Sequence, residues 1–414
     1  MDLSTKLQSL SEEYWTFNAY RNEKPLMKYP AVMVAPMQER ILNEVFRSDP
    51  NISIVMDPFM GTGTVLCEAQ KFCKNVIGID INPLATLLSE VRLKGISKGH
   101  YNKSISNLFT RITLLNGNVE PYIFDGIHKW FRPDIIDSLS IVRGAIQREE
   151  NEQIRKFFWC CFAETVKRYS NTRTSTFKLH IKPDIKIQEM QDNVVDFFKA
   201  HILEQAELYA RDDYAYGIET ICGDARTVLS LRKKESVDLI CTSPPYGDNA
   251  TTVTYGQFSI LPLLWIDRKD LHCCDPKLFG NMSAIDSASL GGHKRKKRGD
   301  KQQYEQYTSK VSENKKNKIE AFFTDYEEGF RQMTRVLRQG KYLVLTLGNR
   351  RVDNCEIRFD EFNDYLANKY GLRLDSMITR RIVGKRMPRR VSTVQGVGAV
   401  DSMSKEYVKI YRKV

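Results

Sequence analysis

At 414 residues and 42% hydrophobic content, the chain suits one large core domain with insertions, or two domains, and is too apolar for a disordered polymer. A formal net charge of +12 and a pI near 9.1 point toward a polyanionic partner. Nine cysteines, an odd number with no CxxC pair, fit reduced thiols, and the polar start Met1 to Glu13 with no long apolar run predicts a soluble, cytoplasmic protein without a membrane span.

Residues 1–24 mix polar and aromatic positions without a clear period and read as an arm or a lid. Tyr29-Pro30-Ala31 leads into Val34 to Phe46, where Met37, Ile41, Leu42 and Val45 fall at helical spacing. Ile52 to Met56 predicts a strand, followed by Asp57-Pro58-Phe59-Met60-Gly61-Thr62-Gly63-Thr64 and a helix over Val65 to Phe72. Strand, glycine turn and helix start bring backbone N–H groups to where a ligand can meet them. No lysine follows Gly63, which excludes a P-loop. The third glycine of a dinucleotide fingerprint is absent, and a tight turn without a ligand has the same composition. The second strand, Asn75 to Ile79, ends in Asp80-Ile81. An acid about 20 residues past such a loop can accept both ribose hydroxyls of an adenosine-bearing cofactor. Asp80 could equally cap the helix beginning near Pro83.

Residues 86–215 carry no strong strand signal and predict a mostly helical insertion. Ile154, Phe157, Phe158, Cys161, Phe162 and Val166 form an apolar helical stripe, a pattern typical of core. The stretch Ser170 to Lys178 that follows is rich in hydroxyls and amides, with Arg173 and Lys178 among them. It suits phosphate and base-edge contacts, as it would an ordinary capped loop. A third strand, Glu219 to Cys222, leads to Gly223-Asp224-Ala225, where Asp224 could cap a helix at Thr227 to Leu231. The fourth strand, Val237 to Cys241, runs into Thr242-Ser243-Pro244-Pro245-Tyr246-Gly247-Asp248-Asn249. Two prolines remove two donors and hold the chain extended, leaving a rigid tip with a hydroxyl, free carbonyls and an aromatic face. Such a tip at the carboxyl edge of an α/β sheet suits a flat group bearing an amine.

Downstream, Tyr255 to Trp265 predicts a helix broken or kinked at Pro262. Residues 268–318 read as a basic loop insertion whose part 293–318 holds ten Lys/Arg against three acids, Lys294, Arg295, Lys296, Lys297 and Arg298 foremost. Tyr326 to Leu337 predicts an amphipathic helix closed by Gly340. Strands follow at Tyr342 to Leu347, Leu372 to Ile382 and Tyr407 to Tyr411. Before the last lies Lys385-Arg386-Met387-Pro388-Arg389-Arg390, a further candidate phosphate contact. His272 and Cys273-Cys274 lack a second ligand pair, so no metal is expected.

The tetrapeptide Ser243-Pro244-Pro245-Tyr246, of the pattern (S/D/N)PP(Y/F), the DPFxGxGT turn at 57–64 and the acid Asp80 together resemble the S-adenosylmethionine-dependent amino-methyltransferases of DNA. The resemblance covers residues 1–85 and most of 219–414. It implies an α/β fold: a seven-stranded Rossmann-like sheet, parallel except for its last strand, with helices on both faces. Residues 1–85 would form the cofactor half, 86–215 the helical insertion and 216–414 the catalytic half, with the basic insertion 268–318 inside it. It further implies that Tyr29, Pro30, Asp57, Pro58, Phe59, Gly61, Thr62, Gly63, Asp80, Ile81, Asp224 and Ala225 hold S-adenosyl-L-methionine, Asp224 reaching the adenine amino group.

An exocyclic base amine is a poor nucleophile because its lone pair is delocalised into the ring. The resemblance assigns Ser243 Oγ and the Pro244 carbonyl as acceptors for its two N–H bonds, and Tyr246 as the ring that stacks on a base flipped out of the duplex. No cysteine adjoins the prolines, which argues against covalent attack at cytosine C5. Serine in first place favours cytosine N4 over adenine N6, although in many cytosine-N4 enzymes the catalytic half comes first. Double-stranded DNA is then the partner, read by 86–215, by 268–318 or by both, and a restriction endonuclease is a candidate companion. One rival is an RNA base methyltransferase, which would bring a separate RNA-binding module that is not found here. The other is a non-catalytic nucleic-acid binder of the same fold, against which the intact motif residues speak.

Overall fold

The computed structural model describes residues 3–17, 25–73, 75–212, 217–249, 251–273, 275–292, 301–381, 390–391, 400–401 and 405–414. Seven strands form the central sheet: β1 (Ile54–Asp57), β2 (Asn75–Asp80), β3 (Ile218–Cys222), β4 (Val237–Thr242), β5 (Leu337–Leu347), β6 (Leu372–Arg381) and β7 (Lys405–Lys413). Their order is β6-β7-β5-β4-β1-β2-β3. Contacts among β3, β2, β1, β4 and β5 are parallel, whereas β7 runs antiparallel to both β5 and β6.

Strand alternation explains the two-faced burial. Val55, Val76, Leu239 and Val344 point to one side, where they pack with Met37, Ile41 and Val45 of α1 (Ala35–Ser48) and with α2 (Thr64–Ala69). Met56, Ile77, Ile240 and Leu343 point to the other. The remaining long helices are α3 (Pro83–Lys94), α4 (Tyr101–Leu115), α5 (Pro133–Gln147), α6 (Glu152–Tyr169), α7 (Val194–Tyr209), α8 (Ala225–Leu231), α9 (Tyr255–Trp265), α10 (Glu313–Val336) and α11 (Phe359–Lys369). Phe322, Phe330 and Met333 of α10 cover the second face of the sheet.

Helices α4 to α7, which lie between β2 and β3 in the chain, pack into one helical body. Its core is continuous with Leu84, Leu87 and Leu88 of α3 and with Leu261 and Trp265 of α9, and α3 itself runs across the expected boundary at residue 85. This helical body is therefore seated on α9, which follows β4 in the chain. Among the described residues, no helix is long and apolar enough to cross a membrane.

Three expectations change. Residues 3–17 are not a free arm or lid: Leu3, Leu7 and Trp15 are buried with α1, and Ser4 Oγ donates to the Asp375 carbonyl on β6 (2.6 Å). The 268–318 insertion is not loop throughout. A helix spans Lys301–Thr308 and α10 starts at Glu313, well before the expected Tyr326, because Ile319, Phe322 and Phe323 extend the apolar stripe backward. Gly340 does not close that helix; it lies inside β5, with a φ of 76°.

Candidate active site

The chain lays down β1, β2 and β3 in one direction, then returns to start β4 on the other flank of β1. The carboxyl ends of β1 and β4 thus lie side by side where the winding reverses, the position at which open α/β sheets bind ligands. Both single-sequence motifs arrive there: the glycine turn after β1 and the Ser-Pro-Pro-Tyr tip after β4.

Asp57 ends β1 and is 1% exposed; its Oδ1 accepts from Phe59 N (3.0 Å) and from Thr242 Oγ1 (2.5 Å). This bond ties the glycine turn to the last residue of β4. Burial pushes the Asp57 carboxyl up to about 7. Pro58 and Thr62 are buried, and Phe59 is half-buried against the second-face core. Gly61 and Gly63 have φ of 51° and 74°, the left-handed region that disfavours side chains. Space is open around Gly61, where an added Cβ would meet nothing within 4 Å. The turn is braced from below: Ser89 Oγ donates to Gly61 O (2.7 Å), and Arg92 reaches Thr62 Oγ1 (3.1 Å). At Gly78 of β2 an added Cβ would displace the ends of the Met60 and Leu66 side chains packed against it.

Asp80, at the end of β2, accepts from Gly61 N (2.9 Å) and Asn82 N (2.8 Å), and burial raises its carboxyl to about 6. Asn82, whose side chain accepts from Leu84 N, caps α3. Its amide also donates to Tyr29 Oη (2.9 Å) and Ser259 Oγ (2.8 Å). Tyr29 stacks on Tyr255 of α9, ring centres 5.9 Å apart, with buried Pro30 next to it and Ile81 packed on the insertion core. Asp224 acts as the cap foreseen for it: Oδ1 accepts from Arg226 N (2.9 Å), and the carboxylate pairs with the Arg226 guanidinium (2.6 Å). It reaches the same edge through Gly223 N, which donates to Asp80 O (2.9 Å), with Ala225 buried behind it.

The residues at 57–63, 80 and 29 fit S-adenosyl-L-methionine. An open, side-chain-free turn admits a ligand backbone, and two desolvated carboxylates offer acceptors to a cationic amino group and to ribose hydroxyls.

At the tip, Ser243 Oγ donates to the Thr346 carbonyl of β5 (3.2 Å) and lies 3.2 Å from Tyr246 Oη. Tyr246 Oη also faces Glu406 Oε1 of β7 (3.5 Å). Pro244 is buried and Pro245 half-buried. The following loop is clasped. Asp248 accepts from Thr251 N (3.1 Å) and pairs with Arg350 (3.3 Å), while Asn249 donates to Asp286 (3.2 Å) and Ser289 (3.0 Å). Asp286 in turn accepts from Gly256 N and Gln257 N at the start of α9. Thr242, Asn82, Asp286, Arg350 and the Arg380–Glu406 pair were not foreseen; only Asn82, a cap residue before a proline, had a local signal.

The 170–182 loop returns on itself, with Arg173 N on His180 O and Lys182 N on Asn171 O (both 2.8 Å). It docks on α9 through Leu179 N to Gln257 Oε1 (3.2 Å) and Phe177 against Phe258. Arg173 and Lys178 are exposed on it. Ser170 and Thr172, expected among the phosphate-contacting hydroxyls, are buried and bonded to each other (2.7 Å). Lys294, Arg295, Lys296, Lys297, Arg298, Lys385, Arg386 and Arg389 lie outside the described residues; Arg390 lies in a short strand paired with Asp401.

A family profile described as DNA methylase matches residues 4–89. The chain is 30% identical over 398 residues to the type II methyltransferase M.MvaI of Kocuria varians, covering 89% of this chain and 86% of that one. A 41-residue stretch is 49% identical to the type II methyltransferase M.MjaII of Methanocaldococcus jannaschii, covering 10% of this chain and 8% of that relative. Among solved structures, a DNA modification methylase from Thermus thermophilus, complexed with S-adenosyl-L-methionine, aligns at 18% identity and a TM-score of 0.23, covering 46% of this chain and 53% of that one. The rRNA methyltransferase aviRa of Streptomyces viridochromogenes aligns at 10% identity and a TM-score of 0.28, covering 97% and 93%. With its sheet order, glycine turn and Ser-Pro-Pro-Tyr tip in one place, and a relative of this identity along nearly its whole length, the chain belongs to the S-adenosylmethionine-dependent type II DNA methyltransferases of the adenine-N6/cytosine-N4 family.

Proposed function

We propose that the protein methylates the N4 amine of a specific cytosine in duplex DNA, with the base flipped out to the Ser243–Tyr246 tip. The observation that carries this reading is the Thr242–Asp57 hydrogen bond, which fastens the amine-binding tip to the cofactor turn across adjacent strand ends. When bound, S-adenosylmethionine supplies an electrophilic methyl group on a sulfonium. Asp57, Gly61, Gly63, Asp80 and Tyr29 would hold it. The chain's own work is positioning and electrostatics. Ser243 Oγ, its proton turned to Thr346 O, and the Pro244 carbonyl accept the two N–H bonds of the amine. That favours a tetrahedral nitrogen with a localised lone pair, while Tyr246 stacks on the ring. Serine at the first tip position is the feature that selects cytosine over adenine.

Arg173 and Lys178, exposed on a loop docked to α9, are suited to contact phosphates beside the entry of the base, and the basic stretches near 294–298 and 385–390 to add to that field. Acting on DNA, the protein works in the cytoplasm, with a restriction endonuclease of the same recognition sequence as its candidate companion. The test is incubation with tritiated S-adenosylmethionine and mixed-sequence duplex DNA, followed by nucleoside analysis. Label in N4-methylcytosine is expected. Label in N6-methyladenine would overturn the base assignment, and label in RNA alone would overturn the substrate.

A further inference from the structure

Hydrogen-bond bookkeeping at the tip leaves one proton whose direction matters. The Thr346 carbonyl can only accept, so it fixes the Ser243 proton and leaves the Ser243 lone pairs free. Tyr246 has one phenolic proton and two acceptors in reach, Ser243 Oγ at 3.2 Å and Glu406 Oε1 at 3.5 Å. Burial pushes that phenol well above its usual pKa, so the proton is always there to be placed. Turned toward Ser243, it takes one of the two Ser243 lone pairs, so that the substrate amine is left with a single, partly screened acceptor site. Turned toward Glu406, it leaves Ser243 open.

The carboxylate is the stronger acceptor by charge, and it is held in place. Glu406 Oε2 accepts from Arg380 Nε (2.9 Å) and from Nη2 of the same guanidinium, and the two residues are cross-strand partners in the β6–β7 hairpin. Arg380 is only 8% exposed and Glu406 is half-buried, so a partly shielded ion pair stands beside the tip. A staple for the hairpin alone would have no need to face Tyr246, and an ion pair is by itself weak stabilisation. We propose that Glu406, fixed by Arg380, is a positioning residue that draws the Tyr246 proton away from Ser243 and so keeps Ser243 Oγ available to accept from the target amine. The inference rests on the amine-methylating role assigned to this tip.

The test compares wild type, E406Q, Y246F and E406Q/Y246F on duplex DNA with tritiated S-adenosylmethionine, measuring kcat, KM for DNA and cofactor Kd. In E406Q the amide oxygen stays with Arg380 and the amide N–H turns to the Tyr246 oxygen, which sends the phenolic proton to Ser243. We expect kcat of E406Q to fall about tenfold, the worth of one hydrogen bond in the reacting complex, with cofactor Kd unchanged. Y246F deletes the competing proton, so the double variant should turn over as fast as Y246F and faster than E406Q. Two results would overturn the proposal: losses that multiply in the double variant, or an E406Q loss that comes with weakened cofactor binding, the mark of a purely structural pair. A wild-type protein that labels no duplex DNA would remove the underlying reading, and this inference with it, before any variant is compared.

Discussion

Replacing Asp57 with asparagine should raise stability and lower cofactor affinity at once, and the size of the first effect follows from burial. Asp57 is 1% exposed, and its carboxyl sits at about 7 against an ordinary 3.8. The folded chain therefore holds the proton more tightly than the unfolded one. The stability this confers is complete below pH 3.8, is lost as pH rises from there to about 7, and changes no further above that. An interval of about 3 pH units at ~1.4 kcal/mol each gives about 4 kcal/mol as an upper value. Relaxation and water entry in a real interior reduce this to ~2 kcal/mol. Asp57→Asn keeps the side-chain shape, can still accept from Phe59 N and can donate to Thr242 Oγ1, but does not titrate. Urea denaturation at pH 4 and pH 8 should therefore show the variant gaining ~2 kcal/mol more over wild type at the higher pH. Titration calorimetry should show weaker S-adenosylmethionine binding. An equal stability change at both pH values would refute the assignment of a buried, desolvated carboxylate.

Asp80→Ala leaves Gly61 N and Asn82 N without their acceptor and should weaken S-adenosylmethionine by at least about tenfold; unchanged affinity would remove Asp80 from the site. Gly247→Ala would bring a Cβ to 2.4 Å from Arg350 Nη1 and disturb its pairing with Asp248. Turnover should fall while cofactor affinity holds, and wild-type turnover would show that the loop has room to shift. Asp286→Ala strips the start of α9 of its acceptor and should cost ~2 kcal/mol by denaturant titration, whereas a loss under about 0.5 kcal/mol would show the cap to be redundant.

The parts of the candidate site legible in the sequence are those that fall in one run of neighbouring residues: the glycine turn at 57–63, the strand-end acid Asp80 and the Ser243–Tyr246 tip. The strands were legible because a sheet covered on both faces reads as largely apolar segments, as in Val237 to Cys241, where Asp238 alone interrupts the run. What joins those runs was not. Thr242 meets Asp57 across 185 positions and Tyr246 meets Glu406 across 160, and no local pattern encodes a partner so distant. Side-chain direction was equally hidden. Ser170 and Thr172 have the composition of a binding loop yet turn inward to each other, while Arg173 and Lys178 of the same loop face solvent. The early start of α10 was missed because the lysines at 315, 316 and 318 mask the stripe of Ile319, Phe322 and Phe323 between acids and amides.

In the proposed reaction the Ser243–Tyr246 tip performs the methylation while the 57–80 segment holds the cofactor. The most direct measurement pairs tritium transfer to duplex DNA with S-adenosylmethionine calorimetry on Ser243→Ala and Tyr246→Ala. Both variants should stay folded and bind the cofactor as wild type does, while label transfer is lost. Full transfer by both variants would contradict that assignment.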